Sequence, residues 1–157
     1  MKNILVSCFS ATGTTKVVAD KLSSLLDADL FEIKPVKRYT DADLDWTNEK
    51  CRTSIEMKEN IKPEIANKIT NLENYNTICL GFPIWWYKEP TIIDRFLEEN
   101  DLTEKDIYIF VTSGSSSASG AVDNLKANFP NLNFVDSRRL TGNENDEILK
   151  SWVKFNK

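Results

Sequence analysis

The 157-residue sequence predicts an α/β domain with a doubly wound, three-layer, five-stranded parallel sheet of strand order 2-1-3-4-5. Short, nearly continuous apolar runs, typical of strands buried on both faces, alternate with amphipathic helical segments. This alternation indicates parallel strands joined by right-handed crossovers. Because the length suits one domain with its own core, we expect residues 1–157 to form a single domain.

The first part of the chain predicts two strands and one clear helix. Residues 3–9 form the first apolar run, 15–26 an amphipathic helix and 29–33 a short second strand. Residues 35–62 are polar and irregular, although Thr53-Ser-Ile-Glu56 matches a capping box and predicts a short helix from about residue 54. The inward face of the first helix is predicted to carry Val18, Leu22, Leu25 and Leu26.

The rest of the chain continues the alternation. Apolar spacing predicts a helix over 63–72, then further helices opened by Pro90, capped by Ser119, and over 146–155. Strands are predicted at 77–82, 107–112 and 132–135. The predicted inward residues of these helices are Ile65, Ile69, Leu72, Ile92, Ile93, Phe96, Leu97, Val122, Leu125, Phe129, Ile148, Leu149 and Trp152.

Composition excludes several kinds of chemistry. The sequence has no histidine, which excludes Ser-His-Asp, Cys-His and histidine-ligated zinc mechanisms. Cys8, Cys51 and Cys79 show no C-x-x-C spacing and are expected to be free thiols. A net charge of -4 with scattered basic residues argues against a nucleic-acid partner. With no apolar run of membrane-spanning length and no signal-peptide cleavage site, we expect a cytoplasmic protein without a membrane partner.

The loop after the first strand is a candidate phosphate site. Ser10-Ala-Thr-Gly-Thr-Thr15 joins a strand to a helix N-terminus, where free N–H groups, the helix dipole and hydroxyls suit a phosphate. A threonine-rich helix cap around a tight turn is the alternative. In a doubly wound sheet, ligands bind at the switch point between the first and third strands, so the loops after residues 9, 82 and 112 should converge. The position of the first loop at this switch point favours a phosphate site over a simple helix cap.

Other phosphate motifs do not fit this loop. The glycine spacings of a P-loop and of a dinucleotide-binding fold are absent. A small-phosphatase loop needs an arginine six residues after its cysteine, and threonine stands there after Cys8. The first strand also lacks the carboxylates of a receiver domain. We therefore expect any chemistry to come from a cofactor.

The other two loops suit the rest of a planar ligand. Gly81-Phe-Pro-Ile-Trp-Trp-Tyr-Lys-Glu-Pro90 concentrates aromatic rings after the third strand, which favours a flat ligand over simple packing of the two indoles on nearby helices. Thr112-Ser-Gly-Ser-Ser-Ser-Ala-Ser-Gly120 offers N–H and hydroxyl groups to a polar ligand edge. A mobile surface loop is the alternative there.

Together these motifs resemble the flavodoxin family over essentially the whole chain. SATGTT fits the phosphate motif [ST]-x-T-G-x-T, and GFPIWWYKEP resembles the flavin loop of relatives that read G-[FY]-P-I-W-W. TSGSSSASG corresponds to their third loop, with serines at 115 and 117 where glycine is expected. The resemblance implies FMN as cofactor, held by Ser10, Ala11, Thr12, Gly13, Thr14, Thr15, Pro83, Ile84, Trp85, Trp86, Tyr87, Thr112, Ser113, Gly114 and Gly120.

Two further features concern the flavin surroundings. Tyr87 stands where relatives often carry glycine, which affects backbone freedom beside the flavin. Residues 41–57 resemble an insert of the same subgroup, from which Trp46 and Arg52 could reach over the flavin or an electron acceptor. A solvated loop held by Trp46 is the alternative.

The resemblance implies a redox function and leaves its form open. One hypothesis is a low-potential electron carrier between partner proteins, and another is an FMN-dependent NAD(P)H or quinone reductase. A third is a module that has lost its cofactor and binds a partner, against which the intact hydroxyls of the first loop argue. Since neutral donors would hold the phosphate in an acidic protein, we expect a low potential for the second-electron couple.

Overall fold

The five strands form one parallel sheet in the predicted order β2-β1-β3-β4-β5, in a computed structural model that describes residues 3–153. Each neighbouring pair of strands is parallel, which confirms the predicted fold class. The last strand extends further than the predicted 132–135. The strands are β1 (Ile4–Cys8), β2 (Asp29–Glu32), β3 (Thr77–Pro83), β4 (Asp106–Thr112) and β5 (Asn133–Arg139).

Within residues 3–153, five helices connect and cover the strands. They are α1 (Thr14–Leu26), α2 (Arg52–Glu59), α3 (Thr91–Glu99), α4 (Ser119–Asn128) and α5 (Asp146–Trp152). The predicted cap Ser119 is wrong by one residue, because Ala118 holds the cap position and Ser119 is already helical. Ile148 was predicted to face inward but is 45% exposed. The helix α5 instead packs on the core through Leu149 and Trp152. The predicted helix end at 154–155 lies outside the described residues.

The sheet separates two apolar cores. On one face, β1 contributes Ile4, Val6 and Cys8, which pack with the buried residues of α1 and α5. On the other face, Leu5 of the same strand packs with α3 and α4. This alternation follows from the two-residue period of a strand, and it requires apolar side chains at consecutive positions. Among residues 3–153, no helix is both long and apolar enough to cross a membrane.

The helix predicted over 63–72 is wrong. Ile65, Ile69 and Leu72 do pack against the core, but the segment is extended and ends in a short 3-10 turn at Leu72–Asn74. The amide of Ala66 donates to the Lys34 carbonyl at 2.7 Å, and the amide of Val36 to that of Glu64 at 2.9 Å. The segment that follows β2 therefore bonds backbone groups of residues 63–72 that a helix would have paired internally.

The short helix in the irregular region begins earlier than predicted. It starts at Arg52, and its cap is Cys51, whose Sγ accepts from the Ser54 amide at 3.4 Å. The predicted cap residue Thr53 instead donates its hydroxyl to the Asp43 carbonyl at 2.8 Å. A capping box needs a free Glu56 carboxylate, but the Glu56 carboxylate accepts hydrogen bonds from Tyr39 and Arg52.

Candidate functional site

A cavity of about 770 Å³ opens at the carboxyl ends of β1, β3 and β4, where the three predicted loops meet. Its volume lies within the range of roughly 300–1,000 Å³ that is usual for small-molecule and cofactor sites. The convergence expected from the sheet order is therefore confirmed. The lining residues that the sequence predicted as site residues are Ala11, Thr12, Thr14, Thr15, Pro83, Ile84, Trp85, Trp86, Tyr87, Thr112 and Gly114.

Four predicted site residues lie outside this lining. Ser113 lines a smaller, adjoining depression of about 440 Å³, together with Thr12 and Thr141. Ser10 and Gly13 shape the first loop, and Gly120 packs against the second. Sequence reasoning missed other lining residues, for which position in the third loop or in the 41–57 insert was the only signal. These are Leu44, Thr53, Ser115 and Ser116.

The first loop presents an uncapped helix N-terminus. Gly13 occupies the cap position of α1 with a φ of 95°, and in the described part of the chain this helix has no side-chain cap hydrogen bond. Ser10 Oγ accepts from the Gly13 amide at 3.0 Å, which folds the loop. Thr12 and Thr14 are exposed and line the cavity. Free amides and two hydroxyls at a positive helix end make a competent anion site.

Thr15 ties the first loop to the sheet. Its buried hydroxyl lies 2.7 Å from the hydroxyl of Thr112 at the end of β4. Thr15 and Thr112 therefore satisfy each other, and their bond fixes the distance between the first and third loops. The hydroxyls of Thr12 and Thr14 lie 3.4 Å from each other and are exposed, so these are the hydroxyls of the loop that can meet a ligand.

The cavity wall is electrically neutral. Every described lining residue is apolar, hydroxylated or glycine, and none carries a charge. Lys16 follows the first loop but pairs with Asp20 at 2.9 Å on the outer side of α1. An anion in this cavity would therefore be held by N–H and hydroxyl dipoles without a compensating cation.

The cysteine nearest the first loop is not a nucleophile. Cys8 is fully buried, and its burial together with the nearby Glu32 carboxylate raises the pKa of the thiol to about 12. Burial likewise raises the pKa of Cys79 to about 12. Because the thiolate is the reactive form, both residues act as small apolar side chains of the core.

The second loop folds into a tight turn, residues 85–88, which we call the Trp hairpin. The amides and carbonyls of Trp85 and Lys88 bond each other at 2.9 and 3.0 Å. Trp86 and Tyr87, between them, have φ values of 49° and 65°. Such a two-residue turn normally uses Asn-Gly, and bulky residues with positive φ store roughly 1–3 kcal/mol of strain each. Tyr87 thus adopts a positive-φ conformation that glycine would reach without strain.

An aromatic cluster holds Trp85 under the cavity. The ring of Trp85 meets those of Phe9 and Tyr39 edge to face, with centroid distances of 5.6 and 5.4 Å. Trp85 is also packed against the core, whereas Trp86 remains 42% exposed. Trp85 therefore packs against the core, but both indoles also line the cavity, so packing alone does not account for the pair.

The Trp hairpin also docks on α4. A Cβ added to Gly120 would lie 2.3 Å from the Tyr87 carbonyl oxygen, so only glycine permits this approach. Two residues after Tyr87, the buried Glu89 accepts two bonds from Nδ2 of Asn124, at 3.1 and 2.9 Å. Burial together with the nearby carboxyl group of Asp94 raises the pKa of Glu89 to about 9. Glu89 is therefore neutral at pH 7.

Arg139 shapes the third loop and was missed by sequence reasoning. From the end of β5 its guanidinium donates to the carbonyls of Ser113 and Gly114, at 3.0 and 2.8 Å. A second nitrogen donates to the Ser113 hydroxyl at 3.2 Å. These contacts turn the loop carbonyls toward the arginine, and no local pattern in the sequence signals a bond across 25 residues.

The 41–57 insert reaches the cavity through Trp46, which is 71% exposed. The alternative in which Trp46 holds the insert in place is therefore wrong. Arg52 performs that role instead, with its guanidinium carbon 3.8 Å from the Tyr39 ring centroid and its Nε 2.9 Å from a Glu56 carboxylate oxygen. The Tyr39 hydroxyl donates to the same carboxylate at 2.6 Å. These bonds turn Arg52 away from the cavity lining.

Comparisons with known proteins agree with this geometry. The family model described as Flavodoxin matches residues 3–156. A candidate flavoprotein from Bacteroides eggerthii is 39% identical, with a TM-score of 0.92 over 97% of this chain and 96% of that chain. A Lactobacillus acidophilus flavoprotein in complex with FMN is 25% identical, with a TM-score of 0.78 over 98% and 100%.

More distant structures share the fold alone. Oxidised flavodoxin 2 from Bacillus cereus is 18% identical, with a TM-score of 0.55 over 97% of this chain and 94% of that chain. No curated protein matches the chain. The family match spans nearly the whole chain and is joined by a relative of 39% identity at almost full coverage. The chain belongs to the flavodoxin family.

Proposed function

We propose that the chain binds FMN in the 770 Å³ cavity and acts as a low-potential electron carrier. One observation carries the proposal: an uncapped helix N-terminus with two exposed hydroxyls and a wall of two indoles line the same cavity. That pairing suits a ligand with a phosphate at one end and a flat ring system at the other. The relative from Lactobacillus acidophilus, crystallised with FMN, supports the choice of ligand.

Each loop has a distinct task in this proposal. The amides of Ala11, Thr12, Thr14 and Thr15, with the Thr12 and Thr14 hydroxyls, bind the phosphate. Pro83, Ile84, Trp85 and Trp86 border the isoalloxazine and exclude water from it. Thr112 and Gly114, which line the cavity, face its polar edge. Bound FMN would supply one-electron and two-electron redox chemistry.

The neutral lining supports a low potential. No described lining side chain offsets the phosphate charge, and the whole sequence carries a net charge of -4. Each added electron therefore meets an unfavourable field, which opposes full reduction. Redox partner proteins with basic surfaces would be steered toward such a carrier. Free cysteines at positions 8, 51 and 79 support a reducing compartment, and we place the carrier in the cytoplasm.

A reductase that uses NAD(P)H or a quinone is the second candidate. The observation that favours it is the exposed Trp46 at the cavity mouth, where an organic substrate could stack. A carrier needs only an exposed flavin edge, whereas a reductase needs a pocket for its own substrate beside the flavin.

The visible spectrum of the purified protein tests the common part of both candidates. We expect a yellow protein, or a colourless one that becomes yellow with equimolar FMN. A protein that takes up no FMN contradicts both. Dithionite titration that resolves two separate one-electron steps supports the carrier, and rapid bleaching by NADPH supports the reductase. A second-electron potential well above that of free FMN would refute the low-potential proposal.

A further inference from the structure

A second cleft, of about 760 Å³, lies beside the FMN cavity. Segment 46–58 forms one side, and the Trp hairpin forms the other. Trp46 and Trp86 line both the cleft and the cavity, so each of these indoles belongs to two sites. We call this second site the Trp46 cleft. Its volume lies in the range of small-molecule sites.

The walls of the Trp46 cleft suit a flat, apolar ligand. Trp46 and Trp86 are 71% and 42% exposed, which is costly for large indoles without a partner. Met57 adds a flexible, polarisable side chain to the same lining. The positive φ of Trp86 holds its side chain on the exposed turn at the expense of backbone strain. Such walls favour an aromatic ring system stacked between indoles.

The charges at the rim favour an anion. Lys58 and Lys88 line the cleft, and Glu49 is the one acidic residue of its described lining. Within residues 3–153, neither ammonium group has a hydrogen-bond or salt-bridge partner in the structure. Lys16, Lys21 and Lys62 by contrast are paired with carboxylates. The two rim lysines can therefore meet a ligand without breaking an existing bond.

We propose that the Trp46 cleft is a second ligand site, which takes a planar aromatic anion of about two fused rings. Trp46 and Trp86 stack on the ring faces, and Lys58 with Lys88 bind the acidic group. This inference goes beyond FMN binding, because the lysines that define the ligand class line the cleft and not the FMN cavity.

Binding of 2-naphthoate and of its neutral counterpart 2-naphthamide tests the site. Both are titrated into the protein, before and after loading with FMN, and followed by calorimetry and tryptophan fluorescence. We expect one naphthoate per chain and a preference of several-fold over the amide, which shrinks at high salt because the rim charges are screened. FMN uptake, followed by its visible absorbance, is measured in the same samples.

Variants separate the two interactions. Trp46→Ala should weaken both ligands, by roughly tenfold. Lys58→Gln with Lys88→Gln should leave the amide unchanged and abolish the preference for naphthoate. The matched control is Lys126→Gln with Lys150→Gln, which removes two exposed lysines of α4 and α5.

The result has clear alternatives. The inference is overturned by an absence of saturable naphthoate binding, by equal affinity for the two ligands, or by a control pair that acts as strongly as the rim pair. Naphthoate binding without FMN uptake would overturn the proposed function and leave this site standing. FMN uptake without naphthoate binding would overturn this second site and leave the proposed function standing.

Discussion

Glu89 and Asn124 join the second loop to α4 through two part-buried hydrogen bonds, in which Asn124 Nδ2 donates to both carboxyl oxygens at 3.1 and 2.9 Å. Glu89 is only 2% exposed, and burial together with the nearby buried carboxyl group of Asp94 raises its pKa. Two carboxyl groups so close cannot both ionise without a large energetic cost, so the pair retains a proton. The position of the Trp hairpin thus depends on an uncharged glutamic acid.

Glu89→Gln should change the pH dependence of stability. A carboxyl whose pKa rises from 4.5 to about 9 on folding stabilises the protein fully below pH 4.5, and this contribution is lost as the pH rises toward 9. In the wild type the free energy of unfolding should therefore fall over that window, by up to about 1.4 kcal/mol per pH unit. Glutamine mimics the neutral acid, since its amide can donate to Asp94 and its oxygen can accept from Asn124.

Urea denaturation at pH 5.5, 7 and 8.5 measures the difference. We expect the variant to lose most of the slope and to be the more stable protein at pH 8.5. Parallel curves for the two proteins would show that Glu89 is ionised in the folded state. Asn124→Leu serves as a comparison, because it removes the donor and should destabilise at every pH.

Gly120→Ala should destabilise the protein although it improves helix propensity. The new Cβ would lie 2.3 Å from the Tyr87 carbonyl oxygen, so the Trp hairpin or α4 must move. We expect a net loss of roughly 1–3 kcal/mol in the free energy of unfolding, against a propensity gain of up to about 1 kcal/mol. Gly114→Ala is the control for stability, since a Cβ there meets no atom within 4 Å. Equal stability of both variants would mean that the approach of α4 to Tyr87 is loose.

Two arginines with similar local geometry should differ in importance. Arg52 and Arg95 each form a salt bridge with a glutamate four residues on, at 2.9 and 3.0 Å, and the Arg52 contact has hydrogen-bond geometry whereas the Arg95 contact does not. The Arg52 pair is largely buried, with side chains 15% and 7% exposed, and it stacks on Tyr39. Arg52→Ala leaves Glu56 buried without its cation and should cost roughly 2–3 kcal/mol of stability. Arg95→Ala, in the more exposed pair, should cost about 1 kcal/mol or less.

Thermal or urea unfolding of the two variants at pH 7 gives the comparison. Arg52→Lys adds a further test, because lysine keeps the charge but loses the planar stack on Tyr39, and should recover only part of the stability. An Arg52→Ala loss no greater than that of Arg95→Ala would mean that the insert is held by other contacts.

Hydrophobic periodicity predicted the strands and their order, because each parallel strand is buried on both faces and is joined by a helix. It failed over 63–72, where Ile65 and Ile69 meet the core from an extended chain. Apolar spacing reports which side chains are buried, and Asn67 decides the backbone there by bonding both to the Lys34 amide and to the Glu32 carbonyl. Such tertiary bonds leave no periodic signal.

The candidate site likewise has parts that the sequence predicts and parts that it does not. The meeting of the first-loop hydroxyls and the second-loop indoles at one cavity was predictable, since both loops follow strands that end at the same edge of the sheet. The strained Trp hairpin was not, because nothing local favours positive φ at Trp86 and Tyr87. Arg139 was missed because it reaches the third loop only through the pairing of β5 with β4.

The last prediction separates two kinds of threonine in the first loop. Thr12 and Thr14 are exposed in the cavity lining, whereas Thr15 is buried with its hydroxyl on Thr112. Thr12→Ala with Thr14→Ala should weaken FMN binding by roughly 1–3 kcal/mol for each lost charge-assisted bond, with little change in stability. Thr15→Val should instead lower stability by about 1–2 kcal/mol, because it leaves the Thr112 hydroxyl unpaired. Fluorescence titration with FMN and urea denaturation, performed on both variants, measure the two effects. Unchanged FMN affinity in the double variant would place the phosphate elsewhere, and an unaltered unfolding curve for Thr15→Val would show that the Thr15 and Thr112 hydroxyls are not paired in solution.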